Sequence, residues 1–217
     1  MPQKFDPDLL PQSPDLSWES SLWKKGIKRI AGVDEVGRGA IAGPVAAAVI
    51  LLPVDDNLCS ELDGVNDSKK MTSKSRDHWA RKLKEFALDY AVGFCSNLEI
   101  DQMGIIPTTK MAVSRALEKM TKIPQHLLVD YIELEDCRIP QTSLVKGDAR
   151  SLSIAGASIL AKTERDALMR RYATAYPHYG FERNKGYATH AHRQALVEMG
   201  PCPIHRKSFR VKGLADG

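Results

Sequence analysis

Apolar residues gather along the chain into short unbroken runs, separated by polar segments that carry proline and glycine. One run is too uniform for a half-exposed strand. Val45, Ala46, Ala47, Ala48, Val49, Ile50, Leu51 and Leu52 include no polar position, so residues 45–52 predict a strand buried on both faces, as at the centre of a sheet. Residues 27–33 predict the strand before it, ending at Asp34, and the short glycine-rich bend between the two predicts antiparallel neighbours. Trp79, Leu83, Phe86 and Tyr90 recur at helical spacing. They predict an amphipathic helix against the sheet, with Thr72 or Ser73 as N-cap. Residues 90–96 predict a third strand, and 100–120 a helix interrupted near Pro107. Residues 126–130 are a compact apolar run ending in Asp130, a second acid at a strand end, and 142–145 predict a short last strand.

A long helix is predicted over 151–172. Its first half, with Ile154, Ala155, Gly156, Ala157, Ile159, Leu160 and Ala161, is apolar nearly all round. That predicts burial, with Gly156 and Ala157 allowing close approach to the sheet. A further helix follows at 190–199. Residues 1–26 carry Pro2, Pro7, Pro11 and Pro14 and read as a loose arm with at most a short helix around 18–23. Antiparallel strands first, then strands alternating with helices, make an α/β protein: a mixed sheet with helices on its faces. The expected layout is an arm at 1–26, a core at 27–175 and a helical C-terminal extension at 176–217 packed on the same domain.

Composition changes this picture little. The 217 residues suit one sizeable domain, and 43% hydrophobic with 27% charged residues is ordinary for a soluble protein. The net charge is only +4, but its placement matters. Residues 142–217 hold thirteen Lys and Arg against six Asp and Glu. A basic region beside a carboxylate cluster suits a polyanionic substrate. The four cysteines, Cys59, Cys95, Cys137 and Cys202, are scattered and point to reduced thiols. Cys202 and His205, with His190 and His192 nearby, match no zinc module. No signal peptide and no membrane-spanning run is visible, which predicts a cytoplasmic protein without a membrane partner.

The chemistry sits at the first strand. Asp34 and Glu35 are adjacent carboxylates, followed by Gly37, Arg38 and Gly39. Two acids side by side repel unless positive charge intervenes, and a divalent cation with oxygen ligands resolves this directly. Alone, such a pair is more often a solvated surface turn. The buried strand behind it and the flanking Gly-Arg-Gly argue otherwise. Asp130 taken singly could be a turn residue, and Asp148 a helix N-cap. Four acids at element ends in one sheet are better explained by convergence on a metal site. Asn66, Asp67, Ser68, Lys69 and Lys70 form a polar, basic cluster that is either a helix approach or a phosphate contact. Lys146, Arg183 and Lys185 are further candidates for phosphates, although exposed lysines and arginines are usually just solvated.

The stretch from Ala31 to Pro44, with Asn66 to Lys69, Leu128 to Asp130, Lys146 to Asp148, Ile154 to Lys162, Arg165-Asp166, Lys185 to Tyr187 and the His205-Arg206-Lys207-Ser208-Phe209 block, resembles the ribonuclease HII family in order and spacing. The resemblance implies a ribonuclease H-like fold with a five-stranded sheet. It also implies a Mg²⁺- or Mn²⁺-dependent endonuclease that cleaves the RNA strand of RNA–DNA hybrids, or 5′ of ribonucleotides embedded in duplex DNA. The family's metal ligands and catalytic acids fall on Asp34, Glu35, Asp130 and Asp148. Its reader of the 2′-hydroxyl falls on Gly37, Arg38 and Gly39, and its sugar-stacking tyrosine on Tyr187. One departure stands out: the family usually has glycine after Asp130, and here Tyr131 follows.

These residue types suit phosphodiester hydrolysis. Carboxylates hold hard divalent ions, and a pair of such ions can activate water and stabilise the departing 3′-oxygen. A hybrid is read by shape, backbone and 2′-hydroxyl rather than by base. A monomer is expected. Three alternatives remain at this point. A ribonuclease HIII would need an extra N-terminal domain, for which about 26 residues leave no room. A resolvase-like DNA nuclease would share the acids but has no use for Gly-Arg-Gly. A catalytically dead hybrid-binding module would be expected to have lost an acid, and none is missing.

Overall fold

The computed structural model describes residues 10–210. Five strands form one mixed sheet: β1 (Ile30–Val36), β2 (Val45–Leu51), β3 (Asp89–Cys95), β4 (His126–Asp130) and β5 (Gln141–Leu144). Their spatial order is β3-β2-β1-β4-β5. The first three run antiparallel to their neighbours, whereas β4 lies parallel to β1 and β5 parallel to β4. The helices are α1 (Ser17–Lys24), α2 (Leu58–Glu61), α3 (Ser73–Phe86), α4 (Asn97–Met103), α5 (Ile105–Lys119), α6 (Leu152–Ala175), α7 (Phe181–Asn184) and α8 (His190–Met199).

The polar-free second run is explained by this layering. Successive strand side chains point to opposite faces. Ala48 and Ile50 pack on the side of α3 and α6, and Ala47, Val49 and Leu51 on the side of α5. Helix α6 lies close against β1. A Cβ added to Gly32 would sit 2.1 Å from the Ser153 carbonyl carbon, so no larger residue fits between strand and helix. The sequence suggested Gly156 for this role. It meets only side chains, Leu83 Cδ2 at 3.2 Å and Ile50 of β2 at 3.6 Å, and the tight spacer is on the strand.

Several boundaries differ from expectation for identifiable reasons. β1 runs to Val36 rather than stopping before Asp34, because its ladder with β2 continues through Asp34–Ala48, Glu35–Ala47 and Val36–Ala46. Tyr90 belongs to β3 and pairs with Ile50; its helical spacing from Phe86 is fortuitous. The break in the 100–120 helix falls at Gly104 (φ 82°), not at Pro107. Pro107 lies in the first turn of α5, where its missing N–H has no intrahelical acceptor to lose. Thr72 caps α3, accepting from the Ser75 amide at 3.2 Å.

The arm is not loose over its described part. Trp23 and Leu16 are buried in the main core. Glu19 is buried at the start of α6, accepting from Ser151 Oγ at 2.7 Å, Ser153 Oγ at 2.6 Å and Ser153 N at 3.0 Å. Burial raises its carboxyl pKa despite those donors.

C-terminal to α6, a small core forms around Met169, Tyr179, Phe181, Leu196 and Ile204, and it reaches Ile41 and Ala42 of the β1–β2 connection. Within it His192 and His205 meet, Nε2 to Nε2, at 3.0 Å. His192 Nδ1 donates to the Tyr187 carbonyl at 2.9 Å, and the Cys202 amide donates to His205 Nδ1 at 2.9 Å. Both rings are therefore neutral, with His205 Nε2 donating to His192. Burial pulls both pKa values down, His205 to about 4. The suggestive grouping of Cys202, His205 and His192 is thus a hydrogen-bonded chain. Because the unfolded ring takes its proton near pH 6.5 and the folded ring only near 4, this contribution is complete above about 6.5 and is lost as pH falls from there towards 4. Urea titrations of wild type and His205→Gln over that range should show a steeper acid loss in wild type, and parallel pH profiles would contradict the neutral pair.

Candidate active site

Parallel pairing of β1 with β4 brings the acids together. Residues Val33 and Val129 are partners in the ladder, so Asp34 and Asp130 are the next residues on adjacent strands. Ile30 and Leu128 face the α6 side, and the period of two places Asp34 and Asp130 on that side as well. Alternation assigns Glu35 to the other side, where Arg38 Nη1 donates to its Oε1 at 3.1 Å. Asp148 enters from a 3-10 turn (Gly147–Ala149) between β5 and α6. It is not the cap of α6, since Ser151 Oγ accepts from the Ile154 amide at 3.2 Å. The Gly147 amide donates to Asp130 Oδ1 at 2.7 Å, tying that turn to β4.

The charges feel one another. Burial, then Glu35, Asp130 and Asp148, hold the Asp34 carboxyl well above the usual range. Burial and Asp148 push Asp130 up to about 6, and burial and Asp67 raise Asp148. Lys69 forms an ion pair with Asp148 at 3.6 Å. Burial disfavours its ammonium, but Asp148, Asp34, Asp67 and Asp130 together more than offset this and raise it. Among the described residues no three His, Cys, Asp or Glu side chains are grouped closely enough to hold a metal ion as they stand. The acids share a region and an all-oxygen donor set. Such a set fits a hard divalent cation, whose charge would relieve the repulsion that raises these pKa values.

Other predicted site residues fall in different places. Ser68 is buried and its hydroxyl lies 2.8 Å from Ser158 Oγ. Ser158 in turn hydrogen-bonds the Asp34 carboxyl. Ser68 therefore lies buried behind Ser158 rather than open to solvent. Asn66 Oδ1 accepts from the Asp67 amide at 2.8 Å and shapes the local turn. Lys146, with φ 55°, is exposed beside Asp148 in a cavity of about 410 Å³ lined also by Lys69, Lys70, Asp130, Tyr131 and Val145. Lys185 has φ 51° and its ammonium bonds the Glu182 carbonyl. Arg183 is almost fully exposed. Tyr187 is half-buried, with the Lys162 ammonium 5.7 Å and the Arg165 guanidinium 5.6 Å from its ring centre.

The Gly37–Gly39 turn is held by residues to which the sequence assigned no role. Arg165, fully buried, donates to the carbonyls of Pro44 (2.8 Å), Ala42 (3.2 Å) and Lys185 (2.8 Å). Arg206, also buried, donates to Gly43 O at 3.0 Å and Arg38 O at 2.9 Å. A Cβ on Gly37, whose φ is 93°, would lie 2.2 Å from Arg165 Nε, so both backbone and space demand glycine there. The Gly186 carbonyl accepts from Ile41 N at 2.8 Å. One network thus ties the Gly-Arg-Gly turn to the loop bearing Tyr187. Burial, with Arg165, brings the Arg206 pKa to about 9, so it remains charged at neutral pH.

Against this geometry the comparisons are decisive. A family profile described as Ribonuclease HII matches residues 31–212. The chain belongs to the ribonuclease HII family. It is 49% identical over 197 residues to the Ribonuclease HII of Synechococcus sp. (strain JA-3-3Ab), covering 90% of this chain and 88% of that protein. The crystal structure of the ribonuclease H2 from Pyrococcus horikoshii OT3 superposes with a TM-score of 0.70 at 26% identity, over 83% of this chain and 93% of that one. The RNase HII in the PCNA:RNase HII complex from Archaeoglobus fulgidus gives 0.71 at 25% identity, over 85% and 96%. This member of the family is therefore an enzyme of the ribonuclease H type, built on the expected five-stranded mixed sheet.

The arginine network makes a prediction independent of any ligand. Arg206→Met leaves the carbonyls of Gly43 and Arg38 without their buried donor. It should cost about 2 kcal/mol or more, read as a lower urea midpoint at unchanged slope. Arg206→Lys keeps charge but not the fork geometry, and should recover only part of the loss.

Proposed function

We propose that this protein hydrolyses the RNA strand of RNA–DNA hybrids and the phosphodiester 5′ of single ribonucleotides in duplex DNA. The observation that carries this reading is the placing of Asp34 and Asp130 on one face of adjacent strands, with Asp148 tied in through Gly147 and Glu35 near enough to raise both, beside a Gly-Arg-Gly turn that two buried arginines hold in place. Two divalent ions, Mg²⁺ or Mn²⁺, would supply an activated water and charge stabilisation at the departing 3′-oxygen. Asp34, Glu35, Asp130 and Asp148 are the residues that would hold them.

The chain's own residues do the rest. Backbone groups of Gly37, Arg38 and Gly39 meet the 2′-hydroxyl, which both donates and accepts. The Tyr187 ring covers the neighbouring sugar, backed by Arg165. Lys69 and Lys146, beside Asp148, neutralise the phosphate strand. In the reaction, a water oxygen bonds to phosphorus as the bond from phosphorus to the 3′-oxygen breaks. The products are a 3′-hydroxyl and a 5′-phosphate. The family match and the Gly-Arg-Gly turn disfavour the resolvase-like alternative, and the presence of all four acids disfavours the dead module.

Three duplexes test this in Mg²⁺: all-DNA, one embedded ribonucleotide, and continuous hybrid. Wild type should cut the two that contain ribose and spare the first. Asp34→Asn and Asp130→Asn should each lower turnover by more than about a hundredfold, beyond the range typical of outer-shell changes. Mg²⁺ should raise the melting temperature of wild type but not of Asp130→Asn, as binding to the folded state alone requires. Efficient cutting of the all-DNA duplex, or near-normal turnover in either variant, would sink the assignment.

A further inference from the structure

Among the described residues only three besides glycine have positive φ: Tyr131 at 60°, Lys146 at 55° and Lys185 at 51°. All three border the acid cluster or the Tyr187 loop. A left-handed backbone costs a non-glycine residue roughly 1–2 kcal/mol, and such strain tends to persist where function keeps it. The two lysines already have a candidate role. Tyr131 has none.

Its geometry is specific. The Ile132 amide donates to the Asp130 carbonyl at 2.7 Å, closing a three-residue γ-turn centred on Tyr131, and the form with positive φ at its centre is rare and strained. The Tyr131 amide is anchored to Leu144 O at 3.0 Å, and Ile132 and Leu134 on the far side pack into the core. The turn is therefore pinned at both ends, and the ring is thrust outward, 68% exposed. Tyr131 lines the same cavity of about 410 Å³ as Asp130, Asp148, Lys69, Lys70 and Lys146.

Sheet order places this ring opposite Tyr187. The Tyr187 loop is bonded to the connection that enters β2, and Tyr131 leaves the end of β4. The order β2-β1-β4 sets β1, with Asp34 and Glu35, between them. We propose that Tyr131 is a substrate-binding residue whose ring packs on a sugar of the nucleic-acid duplex, on the side of the cut away from Tyr187. This rests on the function proposed above. Paired bases keep their faces stacked inside a duplex, whereas its sugars and phosphates lie on the outside and take most protein contacts. Lysines around the ring would meet the flanking phosphates.

The test uses the full-length protein and the duplex with one ribonucleotide, measured by kcat/KM and by thermal melting. Tyr131→Gly should relieve the backbone strain, so its melting temperature should stay the same or rise. Its kcat/KM should nevertheless fall about fivefold or more, mainly through KM, as loss at the low end of aromatic stacking predicts. Tyr131→Ala should lose the same contact, whereas Tyr131→Phe and Tyr131→Trp should stay within about twofold of wild type. A duplex shortened on the side away from Tyr187 should abolish the difference between wild type and Tyr131→Gly. If Tyr131→Gly melts higher and cleaves as well as wild type, the ring contributes nothing and the inference is overturned, with the nuclease reading intact. If activity falls only in step with melting temperature, a structural role replaces it. A wild-type protein inactive on every ribose-containing duplex would overturn both.

Discussion

Parallel pairing of β1 with β4 places buried like charges next to each other, and the surrounding structure answers that repulsion. Asp34 and Asp130 end up on one face of adjacent strands, and Asp148 is drawn in because its turn is bonded to Asp130 through the Gly147 amide. Carboxylates this close in a partly dry site cannot all ionise cheaply. Their raised pKa values state that conflict. Locally it is eased by Lys69, by Ser158 and by the backbone N–H groups aimed at the acids.

Next to this negative centre the protein buries two cations. Arg165 and Arg206 make no ion pair among the described residues; their donors go to backbone carbonyls of the β1–β2 connection and the Lys185 loop. The arrangement serves geometry first, since it fixes a turn too glycine-rich to hold itself. It also leaves uncancelled positive charge beneath the surface where a phosphate strand would lie. Acid cluster and buried arginines together give one end of the sheet a divided potential, negative at the ends of β1 and β4 and positive beside them. That pattern fits a polyanion presented to bound cations.

The C-terminal elements matter because they close this network. The neutral pair His192–His205 holds the Tyr187 carbonyl and the backbone just before Arg206. Ala42 bridges to His205, and Gly43 N donates to Ile204 O at 2.8 Å. Without these residues the Gly-Arg-Gly turn would lose the hydrogen bond that Arg206 gives the Arg38 carbonyl.

Much of this was legible in the residues alone. A run without a polar position, as in 45–52, must be covered on both faces, and it lies inside the sheet between β3 and β1. Acids at the ends of apolar runs and a Gly-Arg-Gly after two carboxylates marked where to look for a site before any coordinates. What the sequence left undetermined were matters of distance between remote segments. Ser68 reads as a surface serine beside two lysines, yet α6 brings Ser158 over it and buries it. Arg165 reads as one charge among many in a helix that turns polar, yet it is fully buried, because the loop carbonyls it satisfies lie more than a hundred residues away in sequence. Gly32, not Gly156, sets the spacing of strand and helix. The reach of β1 past Glu35 depends on its partner strand rather than on its own residues. Composition and periodicity specify which surfaces must be covered. Which atoms cover them is decided by packing, since a buried hydrogen bond or a close contact exists only once both segments are in place.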